Sequence, residues 1–435
     1  MVGMSALLAL LARMGTMCVS LVCGVLTTRL VISGAGVDQY VLYTVLLGLP
    51  ALLSFTDLGS GAVIVNTVAT SRDPGHSRLL VARLTSVGRI QLGFAAVAMA
   101  INAGLLVSGG WRALLGVGDQ PGADVAAFVC MTVFCLAIPL GVWIRVLIGL
   151  GKNHIVILVQ GLISPLTLLF VWLTLQLAPA TLYPLLAVCS FLATALTALA
   201  GFLLASWLLR PALGTAVRHV FQVRRYRGAR VMDIGWPMLA QLLTPPIAIS
   251  TQRFVLAQQG TPADVAQYGV AGQVFFALQT LVTAAGVALW PIYAKGRHEG
   301  TLRRGPWPQA AVFGLAAAAA TGVVCLVGPL LFAFVSDGAV VVSLTTMLTF
   351  GAMITATAVL NPLGMYLMDR EGIRFQVIPT LLMAFGSLGL SLVLSAPMGA
   401  AGPPLGNAIA MVVCQIIPYT IYILRHRARL LTSRE

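Results

Sequence analysis

The chain has 435 residues, 59% of them apolar and only 9% charged, with a mean hydropathy of +0.96. A water-soluble domain carries about a quarter charged residues, so this composition excludes a soluble globular protein and points to a chain dissolved in lipid. The net charge of +14 would suit a nucleic-acid partner. The cations, however, fall in short gaps between long apolar runs, with no aromatic-basic motif or zinc-finger spacing beside them, and nucleic acid is set aside as a partner.

A bilayer core of about 30 Å takes around 20 apolar residues in helical form. Twelve runs meet that requirement: 5–28, 40–69, 85–109, 124–149, 155–177, 183–209, 231–256, 267–293, 309–333, 339–367, 375–396 and 405–424. The first follows Met-Val-Gly-Met-Ser with no basic stretch and no cleavage-type small residues, so it reads as a membrane helix and not as a removable leader. With both termini in the cytoplasm, 20 of the 26 basic residues lie on the inner side and only Arg29 and Arg112 on the outer. That bias is the one expected of a multi-pass membrane protein with both termini in the cytoplasm. Trp207, Trp236, Trp290 and Trp307 fall near inner span ends and Trp111 and Trp172 near outer ones, where amphipathic rings anchor to the interface.

Two stretches of the chain read alike. Thr28-Arg29-Leu30-Val31 followed by Gly36, Asp38, Gln39 and Tyr40 parallels Gln252-Arg253-Phe254-Val255 followed by Gly260, Asp264, Gln267 and Tyr268, the arginines being 224 residues apart. Pro139-Leu140-Gly141 echoes Pro362-Leu363-Gly364 at an offset of 223. The offset maps the first span onto the seventh, giving two parallel six-helix halves: an N-terminal lobe at 1–209, a basic cytoplasmic connector at 210–230, and a C-terminal lobe at 231–435 with a basic tail. Transporters are commonly built from such repeats, with the solute path between them.

Charged residues inside a span cost about 2.5–3.5 kcal/mol each on insertion scales and so mark paths or partners. Arg13 lies within the first span and Asp57 near the middle of the second. If the two spans turn near Ala35, these residues stand level and meet. Arg89 and Arg145 lie about one turn inside the third and fourth spans, where they face a cavity or reach to the headgroups. Arg29 and Arg253 take matching places near outer span ends. Together the five arginines outline a ladder of positive charge suited to an anion, with Asp57 as the only carboxylate deep in a span. Pro237, Pro245 and Pro246 remove backbone donors from the seventh span and mark it as a hinge. The seven cysteines sit in apolar runs at spacings that match no common zinc or redox site, so neither metal nor cofactor is expected.

The stretch Arg29-Leu30 through Gly36, Gln39 and Tyr40, followed by Phe55-Thr56-Asp57-Leu58-Gly59, resembles the polysaccharide-biosynthesis (Wzx-type) flippases of the multidrug/oligosaccharidyl-lipid/polysaccharide exporter (MOP) superfamily. In the second half Arg253, Val265-Ala266-Gln267-Tyr268 and Ala288-Leu289-Trp290-Pro291 sit as in that family. The resemblance implies an all-α membrane fold of about twelve helices, MATE-like and V-shaped, around a cationic cavity worked by alternating access. It implies as substrate an undecaprenyl-pyrophosphate-linked oligosaccharide, for which the charged residues singled out above, Arg13, Arg29, Asp57, Arg89, Arg145 and Arg253, are the candidate contacts. The implied purpose is exopolysaccharide, capsule or O-antigen synthesis, and the implied partners are membrane lipids and the polysaccharide polymerase and chain-length proteins. The chain departs from many relatives at Gln252, where they carry an acid. The alternative is a multidrug or metabolite antiporter. A membrane polymerase or ligase would need a sizeable outer loop, and no catalytic or nucleotide motif is present; the chain reads as a transporter and not an enzyme.

Overall fold

The computed structural model describes residues 2–53, 61–71, 73–116, 120–222, 226, 250–287, 289–290, 292–293 and 305–426. All regular structure among them is helical. Among the described residues, nine helical stretches are long and apolar enough to cross a bilayer. One of these, Glu371–Arg425, has 55 residues, about 80 Å if straight, and it reverses at Gly399, where φ is +53°. It therefore supplies two passes, and ten passes are traced among the described residues. The second and seventh spans each run into residues outside them. The chain divides into two compact units, 1–243 and 244–435, with the boundary inside the expected seventh span.

In the first unit, helix α1 (Val2–Ala35) stops at Gly36, whose φ of +92° is open to glycine at no steric cost, and α2 (Val37–Leu52) begins at once. The hairpin thus turns one residue beyond Ala35. Helix α3 (Gly61–Thr70) continues the second span, and α4 (Arg78–Val107) follows with Ser77 accepting a capping bond from the Leu80 amide. After the short α5 (Gly110–Leu115), the fourth span is α6 (Ala123–Ala137), a 3₁₀ turn at Ile138–Gly141 around Pro139, and α7 (Val142–Gly149). Helices α8 (Asn153–Gly161) and α9 (Ile163–Leu177) form the fifth span and α10 (Leu186–Leu208) the sixth. The bundle core gathers Leu80, Leu84, Trp143, Val146 and Leu147. Trp111 lies buried, 3% exposed, so it packs inside the unit instead of anchoring at the interface. Trp172 and Trp207 are exposed.

The stretch expected to be a plain connector contains helix α11 (Ala212–Val220). Ala212, Leu213, Ala216 and Val220 fall on one stripe and are buried against α4. Arg83, just ahead of the expected third span, lies inside α4 and donates from Nη1 to Thr67 Oγ1 of α3.

The second unit opens on α12 (Thr251–Gln259), the described part of the seventh span, followed by α13 (Pro262–Val287) and α14 (Trp307–Ser336). Then come α15 (Leu344–Tyr366), α16 (Arg370–Met398), α17 (Gly402–Met411) and α18 (Ile417–Arg425). A π-helical turn at Val412–Ile416 joins the last two, and Pro418, which has no amide hydrogen for the carbonyl four residues back, accounts for the irregular ladder. Helices α16 and α17 form an antiparallel hairpin whose backbones nearly touch. A Cβ on Gly406 would stand 3.0 Å from both Leu390 Cβ and the Ser391 amide nitrogen. Small residues at such seams let membrane helices pack without help from water. Several buried hydroxyls are satisfied locally: Thr197 donates to the Ala193 carbonyl, Thr321 to Ala317 and Ser395 to Ser391.

Candidate functional site

Arg29 stands in a groove between α1 and α9. Cys23, Leu26, Leu30 and Ser33 recur at helical spacing on one face of α1, and Pro165, Leu168, Leu169 and Trp172 do so on α9. The groove has a volume of about 620 Å³. Gly34 against Leu175 sets the close approach of the two helices at its outer end. Its walls are aliphatic and aromatic, with one guanidinium and the Ser33 hydroxyl, which donates to the Arg29 carbonyl at 2.8 Å. A guanidinium fork beside an apolar channel matches a ligand with a phosphate at one end and a hydrocarbon chain at the other.

The second unit carries its matching arginine in different surroundings. Arg253 on α12 places its guanidinium carbon 5.8 Å from the centroid of the Phe276 ring, a cation–π contact. Its neighbour Gln252 is buried and accepts a hydrogen bond from the Tyr268 hydroxyl at 2.8 Å. That contact gives the Gln252 side chain a structural use. Tyr40 and Tyr268, matched by sequence, are both buried near the start of the second helix of their units. Gly36 and Gly260 both sit at the turn, but Gly260 has extended backbone (φ −94°, ψ −176°). Pro139 lies in a 3₁₀ turn, whereas Pro362 lies inside the continuous α15.

Of the six sequence-derived site residues, Arg13, Arg29, Arg89 and Arg145 lie among the described residues of the first unit and Arg253 in the second. Arg13 is exposed on α1. It lies 16 residues before Arg29, about 24 Å along the axis and about 160° around it, so the two project from nearly opposite faces. Arg145 is half-buried on α7. Arg89 is committed elsewhere: Nε donates to the Val220 carbonyl at 3.0 Å and Nη2 to the His219 carbonyl at 2.9 Å. It satisfies carbonyls at the end of α11, which have no partner within that helix. Asp57, and with it the Arg13–Asp57 pairing, lies outside the described residues, as do Pro237, Pro245 and Pro246 of the expected hinge.

Sequence reasoning missed three further polar contacts. The Arg83–Thr67 bond joins α3 to α4, and Arg112 pairs with Asp124 across the loop between α5 and α6. Asp264, matched to Asp38 only as a repeat letter, builds a reciprocal cap. Its Oδ2 accepts from the Thr261 amide at 2.9 Å while Thr261 Oγ1 accepts from the Asp264 amide at 3.2 Å. Asp264 Oδ1 also accepts from the Ala400 amide at 3.3 Å, tying α13 to the turn between α16 and α17. The threonine–acid spacing was a readable signal for the cap; nothing local pointed to Ala400.

The likeness to solved proteins is one of fold, an all-α arrangement of many membrane passes. The chain is similar in structure to the lipid II flippase MurJ in an inward closed conformation, with a TM-score of 0.66 at 11% identity over 96% of this chain and 87% of the other. It is equally similar to an inward-facing multidrug-resistance MATE transporter of the MOP superfamily, with a TM-score of 0.67 at 17% identity over 98% and 99%. A MOP-superfamily transporter from Pyrococcus furiosus, described as having a binding pocket of reversed polarity, matches with a TM-score of 0.51 at 14% identity over 98% and 95%. No family model and no curated protein matches the sequence.

Proposed function

We propose that the protein is a flippase that carries an undecaprenyl-pyrophosphate-linked oligosaccharide outward across the bacterial inner membrane, for exopolysaccharide, capsule or O-antigen synthesis. The groove of α1 and α9 carries the reading. It offers a phosphate-matching guanidinium at Arg29 beside an apolar channel with an exposed indole at Trp172, which suits a lipid phosphate better than a cationic drug. The similarity in fold to a protein described as a lipid II flippase agrees with it, as does the scarcity of carboxylates within the spans. Arg13, Asp57, Arg145 and Arg253 are proposed to serve the sugar and pyrophosphate along the path, and Pro237, Pro245 and Pro246 to serve the change between inward- and outward-open forms.

Expression in a strain lacking its own oligosaccharide flippase tests the proposal. The wild-type chain should restore surface polymer. Arg29→Ala should lower it at least tenfold with membrane levels of the protein unchanged, and Arg29→Lys, which keeps charge without the fork, should restore part of it. Resistance to cationic drugs with no polymer would establish the antiporter instead. Full polymer from Arg29→Ala would remove the groove from the path.

A further inference from the structure

Helix α11 has two flanks of different chemistry. One borders an apolar slot of about 240 Å³ between α4, α7 and α10, lined in part by Leu92, Leu140 and Phe202, with Val217 and Phe221 on the α11 side. Val217 and Phe221 are exposed, Phe221 to 78%. The other flank borders a separate cavity of about 420 Å³ where Arg78, Thr85, Thr215, His219, Tyr226 and His76 converge. The His219 and Tyr226 rings stack there with centroids 3.5 Å apart. Asp73 is engaged by His76 at 2.8 Å, and Arg78 is the cation among the described lining residues. The whole arrangement sits at the end of the unit that the charge bias assigns to the cytoplasm, and the sequence after α11 adds Arg224, Arg225, Arg227 and Arg230.

A helix with one greasy and one polar flank lies flat in a membrane interface, apolar side toward the acyl chains. Here that orientation puts Val217 and Phe221 toward the acyl layer and the Arg78–His219 cavity at headgroup depth. From this geometry we infer that the cavity between the start of α4 and the polar flank of α11 binds the phosphate headgroup of an anionic phospholipid of the inner leaflet. Arg78 supplies the charge, His219 supplies a donor, and Arg89 acts as a positioning residue by holding the end of α11 that carries His219. Basic pockets at cytoplasmic helix ends are where anionic headgroups collect. The inference concerns a resident lipid and does not depend on which cargo the protein carries.

The test uses the full chain purified in detergent and relipidated, with bound lipid counted by native mass spectrometry. Phosphatidylglycerol should be retained over phosphatidylcholine. Arg78→Ala should cut that preference by about fivefold, the typical effect of one cation at such a surface. His219→Gln, which leaves the backbone carbonyl for Arg89 in place, should weaken it by a smaller factor. Arg78 is exposed, so its removal leaves the fold intact; a melting temperature equal to wild type confirms this. Equal retention of the two lipids, or an unchanged preference in both variants, overturns the inference. So does displacement of the lipid by millimolar inorganic phosphate, or preferential capture of a polyprenyl phosphate over phosphatidylglycerol.

Discussion

Arg89 offers a direct way to separate structure from transport. Its two hydrogen bonds reach the His219 and Val220 carbonyls at 2.9 and 3.0 Å. A bond from a charged donor is worth about 1.5–3 kcal/mol, and a cation at a helix C-terminus adds about 0.3–1 kcal/mol. The two bonds share one half-buried side chain and water replaces part of each, so Arg89→Ala should weaken the docking of α11 by about 3 kcal/mol, roughly a hundredfold in its opening equilibrium. Hydrogen exchange followed by mass spectrometry over 212–221 reads this directly. Exchange there should accelerate about a hundredfold while α4 itself stays protected. Arg89→Lys keeps the charge but not the fork that spans two carbonyls, and should fall about midway on a logarithmic scale. If Arg89→Ala leaves α11 protected and abolishes transport all the same, the reasoning fails and Arg89 returns to the substrate path.

Two further substitutions probe the second unit. Asp264→Ala removes the cap at Thr261 and the tether to Ala400 together, and should cost about 2 kcal/mol; hydrogen exchange should rise both at 261–265 and at the Ala400 amide, and a rise confined to the first segment would refute the tether. Gly406→Ala forces a methyl group against Leu390 and Ser391 and should cost about 1–3 kcal/mol in thermal or denaturant unfolding, whereas Gly389→Ala on α16, where a Cβ meets nothing within 4 Å, should be neutral or slightly stabilising. Equal effects of the two glycine substitutions would contradict the close seam.

The passes were legible because lipid leaves the sequence few choices. A run such as Trp307–Ser336 has nowhere else to put 30 residues with so little charge. Helix α11 was harder to read. Its buried stripe of Ala212, Leu213, Ala216 and Val220 is short, lies between Pro211 and a dense basic stretch, and was masked by the charge count that set the topology. The alternation of that stripe with Arg218 and His219 was the available signal. The role of Arg89 left no trace at all, because its partners are backbone carbonyls and any residue supplies those. Arg13 and Arg29 looked like rungs of one ladder because linear distance shows depth in the membrane, whereas the rotation of about 160° between them appears only once the helix is counted out. Gln252 read as a departure from a pattern until Tyr268 showed what its amide oxygen accepts.

The seam between α16 and α17 bears on how the molecule is made and how it moves. With Gly402 and Gly406 against Leu394 and Leu390, and Asn407 Nδ2 donating to Ser387 Oγ at 3.0 Å, the final two passes form a finished plank. Such a plank enters the bilayer as a pair and resists shear along its length. Any rearrangement during a work cycle must therefore bend the protein at looser joints and carry this element along unaltered.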